Sequence, residues 1–257
     1  MVRSKKRCVA TGVDGDAVVE ALDRLANVMR RYAEESVETK QLFAIDQEEA
    51  IDNLDGAFDA KLEKLHSLYD VMNVVMPGFR FRSHGDTALH IQIRNARHHN
   101  IRGLFKSWNR LMLKENELRQ NLGAQYLLAG YRLLGGGAVV SEYYLKLTDV
   151  HGFYSLPYEE NKLKPEQAKR QEQAVESGLS FGHIRANAEN NGYPLKQVFF
   201  NVIPIFMAGF RRVLLFLKEQ GVQPKGHDSE TYWRHFLGEE HVDLSRVTFK
   251  SLQEPRF

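Results

Sequence analysis

The sequence predicts a mainly α fold, a helical bundle with a small β hairpin inserted, and three features of the chain lead to this prediction. Apolar residues recur three and four positions apart over most of residues 14–134, which is the spacing of one helix face. Pro77-Gly78 and Gly135-Gly136-Gly137 interrupt that pattern and separate the helices. Residues 139–150 instead alternate with a period of two, which is typical of a strand.

Four helices are expected before the triple glycine, each recognised by its apolar stripe. In chain order they run from a cap at Asp14 or Asp16 to about Ser36, from about Asp46 to Val75, from near Thr87 toward Leu118, and from Leu122 to Leu134. Pro77-Gly78 ends the second helix, because proline cannot continue a helical ladder.

After the triple glycine, a strand over 139–150 is expected to pair with His151–Tyr158 as a hairpin. The expected helices are Lys164–Glu176 opened by Pro165, the strongly apolar Leu195–Lys218, and Glu230–Leu237 capped by Ser229. The chain therefore divides into a helical bundle over residues 12–134 and a mainly helical region over 138–257 that packs on it and whose role the sequence does not define.

Charge is distributed unevenly, although the formal net charge is only +2. Residues 11–76 contain 15 Asp and Glu against 6 Lys and Arg, a net charge of −9. Residues 77–114 contain 8 Lys and Arg against 1 acid, a net charge of +7, together with four histidines. This basic segment indicates a surface for an anion such as a nucleic-acid backbone. Acidic helices that pack beside it and neutralise it are an equally good explanation.

The chain contains one cysteine, Cys8, so an internal disulfide and a thiolate metal cluster are both excluded. The basic start is not followed by an apolar signal segment, and the most apolar run, Val198 to Phe210, is too short to span a bilayer. We therefore expect a cytoplasmic protein without membrane association, and nothing in the sequence indicates a cofactor.

The densest concentration of functional side chains is Arg94-Asn95-Ala96-Arg97-His98-His99-Asn100. Within it, Arg94-Asn95-x-x-x-His99 resembles the R-N-x3-H signature of the HEPN superfamily of helical ribonucleases. The strict resemblance covers these six residues, and a looser one extends over Asp14 to Leu134. It implies a motif near a helix N-terminus, a homodimer with a shared active site, RNA as substrate, an antitoxin or other regulatory partner, and a toxin or antiphage-defence setting.

The chemistry of metal-free RNA cleavage suits these residue types. The ribose 2′-OH attacks the adjacent phosphodiester, and a histidine is the natural general base near neutral pH. In this interpretation His99 is the base, the Arg94 guanidinium stabilises the charge on the phosphate, and Asn95 orients its neighbours. Five further cations are expected to contact the RNA backbone: Arg80, Arg82, Arg97, Arg102 and Lys106.

Helix geometry keeps a second base in consideration. Five residues of a straight helix correspond to about 500° of rotation, which turns Arg94 and His99 roughly 140° apart. Arg94 and His98 are four residues apart and share a face. If the helix is straight through Asn100, His98 becomes the better base.

Two other interpretations of the same residues remain. The first is a non-catalytic helical module that binds nucleic acid or protein, alone or as a subunit of a larger complex. The second is a metal site formed by His84, His90, His98 and His99, but their spacing matches no ligand pattern and Asp86 is the only acid nearby. We therefore predict no metal.

Overall fold

The computed structural model describes residues 12–115, 117, 123–134, 141–238 and 241–253. The α-helices are α1 Gly12–Leu42, α2 Gln47–Val75, α3 Gly85–His98, α4 Leu147–Tyr154, α5 Tyr158–Asn161, α6 Pro165–Gly178, α7 Phe181–Asn190, α8 Val202–Glu219 and α9 His227–Leu237. The strands are β1 Gln125–Leu134, β2 Tyr144–Lys146, β3 Val198–Asn201 and β4 His241–Gln253. The prediction of a mainly α fold is confirmed, although the β part is a sheet and not a hairpin.

Helices α1 and α2 pack along each other at the start of the described chain. Asp46 caps α2, because its side chain accepts a hydrogen bond from the Glu49 backbone N–H at 3.0 Å. The apolar stripe of α2 is buried as predicted, and the helix ends at Val75, just before Pro77. Helix α1 continues past the predicted end near Ser36 to Leu42.

Helix α3 is the central element of the helical part. Every residue from Gly85 to Ile93 is buried, and the helix packs against α2, α6 and α8. Gly85 lies so close to α6 that an added Cβ would stand 2.4 Å from the Ala174 carbonyl oxygen. Only glycine allows two helix backbones to approach in this way. The buried Asp86 pairs with Arg212 of α8 at 3.0 Å.

The prediction that the third helix continues toward Leu118 is wrong. Helix α3 ends at His98, because Asn100, Arg102 and Phe105 all have positive φ, as does Gly103. A left-handed residue cannot continue a right-handed helix. The chain then turns and forms a short π-helical turn, Arg110–Lys114.

The predicted fourth helix is also wrong, since its residues form β1, an inner strand of a four-stranded sheet. The strand order is β2-β3-β1-β4, with β1 parallel to β3 and antiparallel to β4. Residues 126–129 of β1 are buried. A continuous apolar run is typical of a strand covered on both faces, and a buried helix has the same composition.

The predicted hairpin between 139–150 and His151–Tyr158 is wrong as well. Tyr144–Lys146 does form a strand, but it pairs with β3, and the first half of the expected partner, residues 151–154, lies in α4. Residues 135–140, which include the triple glycine, lie outside the described residues.

The later helices agree better with the sequence. Helix α6 begins at Pro165 as predicted. The apolar segment expected from Leu195 starts with a 3-10 turn and β3, and its helix begins only after Asn201, whose side chain caps α8. Helix α9 begins at His227, with Ser229 inside its first turn bonded to Gly226 and not at the cap.

The predicted segments 12–134 and 138–257 share one sheet and one core. Strand β1 belongs to the first segment, while β2, β3 and β4 belong to the second. The largest apolar cluster joins Phe58 of α2 and Ile93 of α3 to Phe200 of β3 and Ile205 of α8. Within the described ranges, no helix has the length and apolar character needed to cross a bilayer.

Candidate functional site

Arg94 marks the point where α3 emerges from the core. The preceding residues are buried on all sides, whereas Arg94 and Asn95 are partly exposed and His98, His99 and Asn100 are exposed. The motif therefore lies at the C-terminal end of a helix, and the expected position near a helix N-terminus is wrong. A rigid buried helix followed by an exposed last turn holds these side chains at a fixed place on the surface.

The end of α3 is a Schellman motif, which fixes the backbone around the histidines. The Ile101 N–H donates to the Ala96 carbonyl at 2.8 Å, and the Asn100 N–H donates to the Arg97 carbonyl at 3.1 Å. Asn100 is the left-handed residue of the motif, with φ of 47°. Asparagine is one of the few residues other than glycine that tolerates this conformation.

A carboxylate on α2 connects the arginine to the first histidine. Glu63 accepts hydrogen bonds from Arg94 Nε at 3.0 Å and from Arg94 Nη2 at 2.9 Å. The same carboxylate lies 2.9 Å from His98 Nδ1. The side chains of Arg94, Glu63 and His98 are 19%, 38% and 49% exposed, so the cluster opens to solvent on the histidine side.

Asn95 and His99 complete the cluster. Asn95 Oδ1 accepts a hydrogen bond from Arg94 Nη1 at 3.2 Å, so three nitrogens of the guanidinium have a defined partner. The His99 ring stands edge-on to the His98 ring with centroids 4.8 Å apart. Arg94 and His98 meet at one carboxylate, whereas His99 joins the cluster through its contact with the His98 ring.

The electrostatics of the cluster favour an ionised Glu63. Burial acts to raise the pKa of this carboxyl, but the hydrogen bonds and charge of Arg94, followed by those of His98, outweigh it and lower the pKa. One turn along α2, burial lowers the pKa of His66, whose Nδ1 lies 3.1 Å from the Asp70 carboxylate. His66 is therefore a neutral imidazole at neutral pH.

An imidazole with one nitrogen held by a carboxylate can exchange a proton through the other. Glu63 fixes the ring of His98 by Nδ1 and leaves Nε2 as the acceptor. A base held by an acidic partner beside an arginine suits proton abstraction next to a developing negative charge.

Most of the predicted RNA-contacting cations are held in ion pairs. Arg97 binds Asp59 through both Nε and an Nη group and also donates to the Phe105 carbonyl at 2.8 Å. The other engaged pairs are Arg102–Glu160, Lys106–Glu115, Arg110–Asp55, Arg110–Asp52 and Lys114–Asp52. Acidic residues of α2 thus neutralise much of the basic segment. This is the second of the two explanations given above for the uneven charge.

Arg80 and Arg82 are different. Both are exposed, and neither forms an ion pair with any residue in the described parts of the chain. They lie in the loop between α2 and α3, where the chain contains no acidic residue from Asn73 to Gly85. Of the five predicted cations, these two keep their full capacity to bind an anion.

Sequence reasoning missed Glu63, which is the residue that organises the cluster. It is 31 positions before Arg94, so no local motif includes it. A usable signal was the polar face of α2, where Asp59, Glu63, His66 and Asp70 follow one another three and four residues apart. A helix packed beside α3 must present such a face to the exposed end of the motif.

A second series of hydrogen-bonded side chains includes a histidine of α4. Ser155 Oγ is 3.2 Å from His151 Nε2, and His151 Nδ1 is 2.7 Å from Glu172. The order of groups matches a nucleophile, a base and an acid. However, Ser155 stands at the C-terminal end of a helix, where carbonyl oxygens and not N–H groups point outward. An oxyanion would be repelled there, so we assign these residues to bracing α4 against α6.

Comparison with protein-family models, with curated proteins and with solved structures gave no match for this chain. Among the described residues, no group of three or more His, Cys, Asp and Glu side chains is arranged to hold a metal ion. The candidate site is therefore defined by its own geometry, as the cluster of Glu63, Arg94, Asn95, His98 and His99, called the α3 cluster below.

Proposed function

We propose that this chain is a metal-independent endoribonuclease of the HEPN type, with the α3 cluster as its active site. The observation that carries the proposal is the single carboxylate of Glu63, which holds both Arg94 and His98 and leaves the imidazole open to solvent. The resemblance of Arg94-Asn95-x-x-x-His99 to the family signature supports the same assignment.

In the proposed reaction His98 Nε2 takes the proton from a ribose 2′-OH. The 2′ oxygen attacks the adjacent phosphorus and forms the P–O2′ bond, and the bond from phosphorus to the 5′ oxygen of the next nucleotide breaks. His99, protonated, gives its proton to that leaving oxygen. The products are a 2′,3′-cyclic phosphate and a 5′-hydroxyl, and the proton balance between the two imidazoles is restored by solvent.

The roles of the remaining residues follow from their contacts. Arg94 holds the Glu63 carboxylate, and through it the His98 ring, in place. Asn95 fixes the third nitrogen of the guanidinium. His98, and not His99, is the proposed base, because His98 and Arg94 both contact the Glu63 carboxylate.

The test is RNA cleavage by the purified protein in EDTA. We expect His98→Ala to lower the cleavage rate by about 10²–10⁴-fold, the usual contribution of a general base. His227→Ala removes an exposed histidine at the start of α9 and serves as the matched control. A substrate with a 2′-O-methyl group at the cleavage position must resist cleavage, because the 2′-OH nucleophile is then blocked. Cleavage unaffected by His98→Ala, or cleavage of the 2′-O-methyl substrate, would exclude this active site.

The dimer and the cellular role belong to the same proposal. Two copies that bring their α3 ends together would place four exposed imidazoles in one cleft. Light scattering after gel filtration measures the mass, and mixing His98→Ala with Arg94→Ala subunits tests whether the site is shared. Growth arrest on expression, dependent on His98 and relieved by an antitoxin or regulator, tests the toxin or defence setting.

A non-catalytic binding module is the second candidate, and the ion pairs of Arg97, Arg102 and Lys106 favour the form of it that binds a protein partner. Cations already paired with carboxylates contribute less to a phosphate-tracking surface. This candidate, alone or as a subunit of a larger complex, predicts binding of RNA or protein without turnover. The cleavage assay in EDTA separates it from the first.

A further inference from the structure

We infer that a groove beside the α3 cluster binds the single-stranded RNA chain next to the scissile phosphate, an inference that rests on the proposed function. The groove has a volume of about 380 Å³ and lies between α2, the loop from Pro77 to Ser83, and α3. It is lined by His66, Asp70 and Asn73 on one side and by Arg80 and Arg82 on the other.

The two arginines are presented by a rigid loop. Residues alternate along it, so that Phe79 and Phe81 are buried while Arg80 and Arg82 are exposed. Phe81 stacks on Tyr69 of α2 with ring centroids 4.0 Å apart, and Phe79 meets Phe81 edge-on at 4.6 Å. A loop anchored by two buried rings holds its guanidiniums in place before a ligand arrives, which lowers the entropic cost of binding.

The arginines are also the free cations of the basic segment. Arg97, Arg102 and Lys106 have carboxylate partners, whereas Arg80 and Arg82 have none among the residues that the structure describes. A guanidinium without an acidic partner is the preferred group for a phosphate, because its fork matches two phosphate oxygens. The ligand of this rim is therefore an anion with phosphodiester chemistry.

The groove is continuous with the α3 cluster along both helices. On α2, His66 lies three residues after Glu63, and the charge of Arg94 contributes to its lowered pKa. On α3, Ile91 lines the groove and is followed by Arg94 and His98 on the same side. Seven residues of helix span about 10 Å, so Ile91 and His98 are about two turns apart.

The opposite side of the groove suits the ribose and base better than a phosphate. Asp70 accepts a hydrogen bond from His66, and its negative charge keeps phosphates on the arginine side. The Asn73 amide offers both a donor and an acceptor to a base edge. A single strand with unstacked bases can use such a surface, whereas a duplex presents its bases only inside.

The experiment measures binding of a fluorescently labelled, fully 2′-O-methylated RNA oligonucleotide, which the proposed reaction cannot cleave. Arg80→Gln/Arg82→Gln is compared with Arg102→Gln/Lys106→Gln, which removes the same charge from paired cations. We expect the first variant to bind about tenfold more weakly, with a shallower dependence of affinity on salt. The second variant is expected to stay within about twofold of the parent, and far-UV circular dichroism checks that both are folded.

The outcomes separate this inference from the proposed function. Equal losses in the two variants, or no binding by the parent, overturn the groove as a specific subsite. Binding that depends on Arg80 and Arg82 without any RNA cleavage supports the groove and refutes the nuclease. Cleavage that depends on His98 but is unchanged in KM by Arg80→Gln/Arg82→Gln supports the nuclease and refutes the groove.

Discussion

Replacing Lys61 with methionine is expected to stabilise the protein by about 3–5 kcal/mol at pH 6 and by much less at pH 10. Lys61 lies on α2 and is only 3% exposed. Its Nζ has no carboxylate partner among the described residues and instead faces three aromatic rings. The distances from Nζ to the ring centroids are 3.8 Å for Tyr32, 4.3 Å for Phe206 and 5.0 Å for Phe58.

The magnitude follows from the pKa of this amine. Burial lowers the pKa of Lys61 from 10.5 to about 7. Between these values the unfolded chain binds a proton that the folded protein does not, so stability rises with pH from about 7 to about 10.5. Below pH 7 the whole difference applies, about 5 kcal/mol at 1.36 kcal/mol per pKa unit. Attraction between the ammonium and the ring faces offsets up to about 2 kcal/mol of this.

The assay is urea unfolding of the parent and Lys61→Met at pH 6, 8 and 10. The free-energy difference between the two should shrink steadily as the pH rises, because the native amine is neutral above its pKa. Lys40→Met, which alters an exposed lysine of α1, should change stability by less than about 0.5 kcal/mol at every pH. A Lys61→Met protein that is no more stable than the parent at pH 6, or a difference that does not depend on pH, would refute the reasoning.

Three further predictions concern the cluster and α3. Glu63→Gln should lower RNA cleavage in EDTA by about tenfold or more, because His98 loses the carboxylate that fixes its ring; an unchanged cleavage rate would count against the pairing. Asn100→Val should lower the free energy of unfolding by about 1–2 kcal/mol, because valine is strained in the left-handed conformation at the end of α3. Asn100→Gly should leave it unchanged, and thermal denaturation measures both variants. Gly85→Ala should destabilise by about 1–3 kcal/mol, since its Cβ would meet the Ala174 carbonyl oxygen. Gly56→Ala, at an exposed helical position with open space around it, should instead stabilise by about 1 kcal/mol, and equal effects at the two glycines would contradict the close approach.

The sequence predicted the fold best where local chemistry decides the structure. Helix α2 has a capping aspartate, a regular apolar stripe and a terminating proline, and its bounds agree with the prediction to within a residue or so. The sequence of β1 predicts a helix because its pairing partners, β3 and β4, are distant along the chain. No pattern within Gln125–Leu134 records those partners.

The sequence of β4 has the alternation of apolar and polar residues that is typical of a strand, but a bulge interrupts it. Val242 and Leu244 alternate with polar residues, and so do Val247 and Phe249, but the two pairs are out of phase. The structure shows the reason, because the register with β1 shifts between Tyr131 and Arg132. A bulge moves the side chains that follow it to the other face and breaks a strict period of two.

The candidate site was predicted in part for the same physical reason. Arg94, Asn95, His98 and His99 are neighbours in sequence, so a short motif contains them. Glu63 reaches them only because α2 packs on α3, and that contact is a tertiary property. The condition stated for His98, a helix straight through Asn100, is not met, because α3 ends at His98 and Asn100 is left-handed. The preference for His98 comes instead from Glu63, which contacts both His98 and Arg94.

The position of β4 in the sheet has a consequence for how the molecule is made. Strand β1 pairs with a parallel neighbour some seventy residues downstream and with an antiparallel one more than a hundred residues downstream. Pairings across such distances close slowly, whereas the hairpin of α1 and α2 can assemble from its own local contacts. A shortened chain that stops after α9 would leave one edge of an apolar inner strand open to solvent, and such an edge invites association with other chains.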